Sequence, residues 1–425
     1  MNHLRLAASR TFRSLGVRNY RLYFLGQIVS MSGTWMQSVA QAWLVLELTG
    51  SGVALGAVTA LQFLPTLVLG SWGGLIADRV DKRKLLVWTQ SASAALALVL
   101  GLLTVTHVVT LWMVYALALG LGLVTMIDMP TRQTFVMEMV GREHVTNAVS
   151  LNGVIVNASR IVGPAVAGVL IATVGVGICF LVNGGSYVAV IAGLVMMRAG
   201  ELKRAKITTR QRGQLRAGLR YVWQTPELRI PLLLMAVVGA VAYNFSVVLP
   251  LMVRFAFHAG AGAFGVLFSV MGAGAVVGGL AVAAWGKATR RLLAGAALGM
   301  GGFLALAAVA PTLGFELVAM LPIGVASTAF IAMSNSLLQL GAAPEMRGRV
   351  MGLFAVVFLG TTPIGGPLIG WIAEQLGPRA AMGIAAGVTA AAGAITILVL
   401  RRVRAHPVID EPLVLETAAE GISAP

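Results

Sequence analysis

Residues 73–86 read GGLIADRVDKRKLL, and the rest of the chain takes its register from them. The stretch closes one apolar run, turns through six charged residues and opens another. A turn so short and so charged between two membrane-length segments must lie outside the hydrocarbon, where its charges stay hydrated. Four of the six are basic (Arg79, Lys82, Arg83 and Lys84), which predicts a cytoplasmic turn.

Composition agrees with that reading. Hydrophobic residues make up 58% of 425 and charged residues 11%, against about a quarter charged in a soluble domain, so the chain reads as an all-α integral membrane protein. Its 31 basic residues against 15 acidic ones sit in short loops between apolar runs, where they set topology against anionic lipid and do not mark nucleic-acid binding. The single cysteine, Cys179, permits no intramolecular disulfide. Five arginines precede the first apolar run. Gln27, Ser30, Ser32 and Gly33 interrupt that run, so it reads as an uncleaved first span and not as a removed export signal.

A span needs about 20 apolar residues, and windows of that size predict twelve: 20–46, 53–76, 85–106, 110–130, 145–172, 175–197, 230–253, 261–284, 290–310, 313–336, 349–373 and 378–400. With these boundaries, 28 of the basic residues fall on one face, Arg254 and Arg379 on the other, and Arg160 inside span five. That asymmetry predicts both termini in the cytoplasm. The organisation expected is a six-span bundle over 1–197, a linker over 198–229, a second six-span bundle over 230–404, and a disordered tail over 405–425. In the linker, Leu215, Leu219, Val222 and Trp223 share one helical face and Arg212, Arg216 and Arg220 another, which predicts a strap lying along the inner leaflet.

An internal repeat supports the division. GPAVAGVLIATVG from Gly163 in span five matches GPLIGWIAEQLG from Gly366 in span eleven, and EMVGREHV (138–145) upstream of the first matches PEMRGRV (344–350) upstream of the second. Parallel copies of this kind build alternating-access transporters.

GGLIADRVDKRKLL resembles the loop motif of the major facilitator superfamily, G-x-L-A-D-R-x-G-R-K-x-x-L, with Ile76 and Asp81 as departures. Together with DMPTR (128–132), NAVSLN (147–152), ASRIVGPAVAG (158–168) and PEMRGRV, it resembles the branch holding enterobactin-exporter-like and macrolide-efflux-like transporters, over nearly the whole chain. The resemblance implies two parallel six-helix bundles. It also implies a gating loop of Gly74, Asp78, Arg79, Asp81, Lys82 and Arg83, in which Asp78 meets the start of span eleven and locks the outward-facing state, with Arg79 and Arg83 completing the latch. Alternatively, the loop only anchors topology.

Helix packing and rocking are expected at Gly163, Pro164 and Gly168, with Gly274 and Gly278 of span eight as the complementary small faces, and at Gly366, Pro367 and Gly370. Exporters of the family carry a fuller glycine pattern in span five, where this chain has Ala167. Arg160 lies about 15 residues into span five, roughly 20 Å deep, so it needs a partner or an aqueous cavity. It is expected either to bind an anionic substrate group or to hydrogen-bond Asn157 and nearby carbonyls. Asp128 and Arg132 are read at a span end, either as part of a proton relay with Arg160 or as a helix-end salt bridge. Glu47, Glu316 and Glu374 read as outer-end residues. Gln27, Trp35, Gln41, Asn157, Asn183, Tyr243, Asn244 and Asn335 are candidate cavity liners, which suggests a neutral or mildly amphipathic substrate.

There is no GxxxxGK[ST] loop, the five histidines are scattered, and no metal cluster forms in the sequence. The expectation is therefore a monomeric secondary transporter in the bacterial inner membrane. The resemblance implies that it draws on the proton gradient, with no cofactor, and exports small amphipathic molecules of drug or siderophore type. An importer of a nutrient solute is the first alternative, favoured if the cavity binds a sugar or organic anion at micromolar strength. A non-transporting membrane sensor is the second.

Overall fold

The computed structural model describes residues 12–203, 214–403 and 413–414. The N-terminal arm to residue 11, Arg212, and the tail apart from Leu413–Val414 lie outside the described residues, as do the side chains of Leu215 and Arg216. In the first half of the chain, helices α1 (Arg18–Thr49), α2 (Gly52–Arg79), α3 (Lys82–Val105), α4 (Leu111–Val140), α5 (Val145–Val174) and α6 (Val176–Val195) follow with short turns. Next comes a surface helix, α7 (Gln214–Gln224). In the second half, α8 (Pro226–Ala242), α9 (Phe245–Leu251) and a π turn (Met252–Ala256) form one broken segment. Then follow α10 (Ala261–Trp285), α11 (Arg290–Ala308), α12 (Leu313–Gly341), a second broken segment of α13 (Arg347–Gly360) and α14 (Thr362–Leu376), and α15 (Pro378–Val403). A two-residue strand β1 (Lys287–Ala288) pairs antiparallel with β2 (Leu413–Val414).

Among the described residues, eleven segments are long and apolar enough to cross a membrane. The expected twelfth is α1, which has the length, at 32 residues, but carries Gln27, Ser30, Gln37 and Gln41 on a buried face. Polar residues that lower its hydropathy are thus turned into the protein, and Leu25 and Val29 remain exposed. Local chemistry sets the ends of the helices. Ser51, Asp81, Thr289 and Thr312 accept the first free amides of α2, α3, α11 and α12. The last glycine of each repeat copy, Gly175 and Gly377, has φ of 93° and 88° and is the single residue between α5 and α6 and between α14 and α15. A left-handed residue there reverses the chain at once, which a side chain disfavours.

In α7, Leu219 and Trp223 are exposed and Val222 is fully buried. On its other side α7 leans on α13, where a Cβ at Gly218 would come within 3.1 Å of Arg349. Span four differs from its expectation. Pro130 does not end it; α4 runs ten residues further to Val140, because Thr131 and the residues beyond keep helical bonds while Pro130 forgoes only its own. Arg132 is therefore inside a helix and not in a loop.

Packing divides the chain unequally along the axis. Within the first half, α1 packs on α5 and α6, α2 on α4, and α3 on α6; within the second, α10 on α12 and α11 on α15. The halves meet principally at two crossings, α5 on α10 and α2 on α14. One apolar core runs through both halves, from Met36–Leu46, Val58, Val114 and Phe180 into Phe264, Met320 and Ile369, and in the second half it continues to Leu228, Leu338 and Val350. At the turn end the first half has a core of its own, built of Tyr20, Leu86, Phe135, Leu151, Val190 and Leu194.

Candidate transport site between the halves

The repeat motif forms both crossings. A Cβ at Gly265 of α10 would lie 2.4 Å from the Pro164 carbonyl oxygen and 2.9 Å from the Gly168 Cα. A Cβ at Gly56 of α2 would lie 2.4 Å from the Gly366 carbonyl oxygen and 2.6 Å from the Pro367 Cα, and one at Gly52 would be 2.5 Å from the Gly370 carbonyl oxygen. The backbones therefore touch, and any side chain must separate them. Three expected positions face elsewhere. Gly163 packs on Ser32 and Trp35 of α1, and Gly274 and Gly278 pack on Leu321, Gly324 and Val325 of α12. The α10 face opposite α5 is Gly265, Ser269 and Gly272, with Ser269 Oγ donating to the Ile161 carbonyl at 2.8 Å.

Polar ties between the halves gather at the end away from the turn. The Glu374 carboxylate, at the end of α14, accepts from Ser51 Oγ (2.9 Å) and from the Val53 amide (3.1 Å) at the start of α2. Arg254 donates to the Leu46 carbonyl at 3.2 Å. At the turn end Asp78 is partly exposed and makes no hydrogen bond or ion pair with a described residue, and Arg79 is exposed. Three other loop residues bond within the first half. Asp81 caps α3 through the Lys84 amide (3.2 Å), Lys82 pairs with Glu138 (2.5 Å), and Arg83 donates to the Leu194 and Val195 carbonyls (both 2.7 Å). Arg83 thus does not complete a latch here; its guanidinium satisfies the last carbonyls of α6. Gly74 lies partly exposed in α2, and it is Gly73 that fits against the Met126 carbonyl of α4.

Asp128 and Arg132 are neither at a span end nor near Arg160. Asp128 is buried and accepts from Thr89 Oγ1 (2.6 Å), Gln90 Nε2 (2.7 Å) and Arg132 Nε. Arg132 Nη1 in turn donates to Gln27 Oε1. Helices α1, α3 and α4 are tied together by this network, and Gln27 belongs to it and not to a cavity wall. Asn183 likewise staples α6 to α1, donating to Gln37 Oε1 (2.5 Å) and accepting from Ser186 (3.0 Å). Asn244 is buried at the break between α8 and α9, bonded to the Ala240 carbonyl (2.7 Å) and packed on Gly365. Gln41 is buried, and Asn157 and Asn335 are partly exposed and make no hydrogen bond with a described residue. The expected bond from Arg160 to Asn157 is not formed.

Arg160 is different. It forms no hydrogen bond or ion pair with any described residue, and its Nε is buried without an acceptor. The guanidinium lies over the Trp35 ring, 5.2 Å from its centroid, and Tyr243 of the second half is within electrostatic reach. Trp35 faces Phe268 at 6.3 Å; Tyr243 packs on Phe358 (6.0 Å) and Phe330 (6.5 Å) and donates to the Ser327 carbonyl at 2.6 Å. One cation is thus set among aromatic faces drawn from both halves, at the level where α8 gives way to α9. Sequence reasoning missed Phe268 and Phe358, yet Phe264/Phe268 and Phe354/Phe358 each stand four apart on one helical face. Glu316 stands in the first turn of α12, at a helix end as read from the sequence; it is fully buried, both carboxylate oxygens lack hydrogen-bond partners among the described residues, and its charged neighbour is Arg379.

Comparison with known proteins accords with this architecture. The multidrug efflux pump Tap of Mycolicibacterium fortuitum is 27% identical over 374 residues, covering 84% of this chain and 90% of that one. The staphyloferrin A transporter of Staphylococcus aureus is 31% identical over 153 residues, but this match spans 36% of the chain and 38% of that relative. A crystal structure of the nucleoside transporter NupG covers 90% of the chain with a TM-score of 0.73 at 14% identity, a likeness of fold. The model of the transmembrane secretion effectors matches residues 9–413, so the chain belongs to this family of the major facilitator superfamily.

Proposed function

We propose that the protein is a secondary active exporter of small amphipathic molecules, driven by proton entry, in a bacterial inner membrane. In this reading α1 supplies the twelfth span, residues 1–197 and 230–404 form two six-helix bundles joined by the 198–229 linker, and both termini are cytoplasmic. The observation that carries it is the asymmetry along the axis: Glu374 bonds Ser51 and Val53, and Arg254 bonds Leu46, across the halves at the end away from the 73–86 turn, whereas Asp78 at the turn end bonds no described residue. With the turn cytoplasmic, this is an inward-open transporter, its substrate site at Arg160 open to the cytoplasm.

Alternating access then requires the bundles to rock about the two glycine crossings. Glu374 on the start of α2 holds the outer end shut, and its bonds must break for substrate release. Asp78 is the matching group at the inner end, free now and engaged with α13 once that end closes. The proton is proposed to arrive at Asp128. Neutralising it weakens the tie to Arg132 and so loosens α4 from α1 and α3 on the cytoplasmic side. Glu316, buried without a hydrogen-bond partner, is the second carboxyl to test. The relatives named as efflux pumps support the direction of transport.

The test uses everted vesicles energised by respiration and a pH-sensitive dye. Addition of a transported compound should dissipate the interior-acid gradient in vesicles holding the protein and leave it intact in vesicles without it. Loss of that response in Asp128→Asn, with retention in Glu316→Gln, would assign the proton to Asp128. No response to any compound, with folded protein in the membrane, would refute proton-coupled export.

A further inference from the structure

The geometry points to an amphipathic anion as the substrate class, with Arg160 as the residue that binds its carboxylate or sulfonate and Trp35 and Tyr243 as the apolar walls. This rests on the site between the halves being the substrate site, and it replaces the expectation of a neutral substrate. The argument is one of charge matching. The buried carboxylates of the first half are engaged away from Arg160, Asp128 by Arg132 and Glu138 by Lys82, and Glu374, exposed at the outer end, is engaged by Ser51 and Val53. Glu47 accepts from the Trp43 indole (2.8 Å), and Glu316 has Arg379 as its charged neighbour.

Arg160 is left with a ring face and a buried, unpartnered Nε. An unmatched guanidinium inside a membrane protein is costly, and truncating its cost by an internal acid was open to this chain but is not what the structure holds. The planar fork of donors suits a two-oxygen anion, and the neighbouring rings suit a flat apolar body. A neutral or cationic ligand would leave the guanidinium unmatched, or repel it.

The experiment titrates the full-length protein in detergent with three probes of one shape and different charge: 2-naphthoate, 2-naphthylmethanol and 2-naphthylmethylamine. The acid is expected to bind about tenfold to a hundredfold tighter than the alcohol, the margin of a charge-assisted pair, and the amine weakest. Arg160→Gln should bring the acid-to-alcohol ratio to near one, and Arg160→Lys should keep part of it. Equal or tighter binding of the alcohol or amine by the unaltered protein would overturn the inference, as would absence of acid binding or an acid preference that survives Arg160→Gln. Because the titration uses no gradient, a protein that prefers the acid yet moves nothing into energised everted vesicles refutes export and leaves this inference standing.

Discussion

Arg132 and Arg160 both lie within helices of the first half, and their surroundings are opposite. Arg132 is matched by Asp128 and Gln27 in a network that also takes in Thr89 and Gln90. Arg160 has an aromatic ring, a buried free Nε and the second half of the chain. The first arrangement is what a membrane protein builds to hold helices together, because each charge finds its partner within the fold. The second leaves binding capacity unused, which suits a residue whose partner comes from outside. A charged residue at membrane depth is thus read by what it touches, not by its cost alone.

Removing one member of the matched pair should give the largest change. Arg132→Ala leaves Asp128 buried without its counter-ion and is expected to cost about 3–5 kcal/mol of stability, seen as a lower melting temperature of the purified protein. Asp128→Asn combined with Arg132→Gln should cost less than Arg132→Ala alone, because no unpaired charge remains. The crossings come next. Gly265→Leu or Gly56→Leu forces a side chain between touching backbones and should cost about 1–3 kcal/mol together with transport. By contrast Gly302→Ala, whose Cβ meets nothing within 4 Å, should stay within about 0.5 kcal/mol of the parent.

The smallest effects are the two helix-end carboxylates, and they should differ in sign. Glu374→Gln weakens the outer tie and should raise the outward-open population roughly twofold to fivefold, read by pulsed electron paramagnetic resonance between spin labels at Leu48 and Leu376. Asp78→Asn should insert normally, favour the inward-open form in the same measurement, and reduce transport. A well-expressed Asp78→Asn protein with unchanged transport would remove the latch role.

Much of the fold was legible because membrane solvation acts on sequence directly: apolar length sets spans, and basic turns set their order. The repeat was legible for the same reason that it works, since Gly163-Pro164 and Gly366-Pro367 must both bring a backbone against another helix. What was not legible depends on which way a side chain points across helices. Gln27 and Asn183 read as cavity liners and prove to be staples, and Gly274 and Gly278 serve α12 and not α5. Pro130 read as a stop, yet α4 tolerates it, which moved Arg132 from a loop into a buried pair. Arg160 was singled out by its cost, but that no acid faces it could be learned only from the packed helices.

The most direct test of the account sets transport beside stability in the same preparations. Uptake of 2-naphthoate into energised everted vesicles and the melting temperature of the purified protein would be measured for the parent, Arg160→Ala and Arg132→Ala. The account predicts that Arg160→Ala melts close to the parent and takes up no 2-naphthoate, and that Arg132→Ala melts well below both. An Arg160→Ala protein that transports the acid at the parent rate, or that loses stability as Arg132→Ala does, would contradict it.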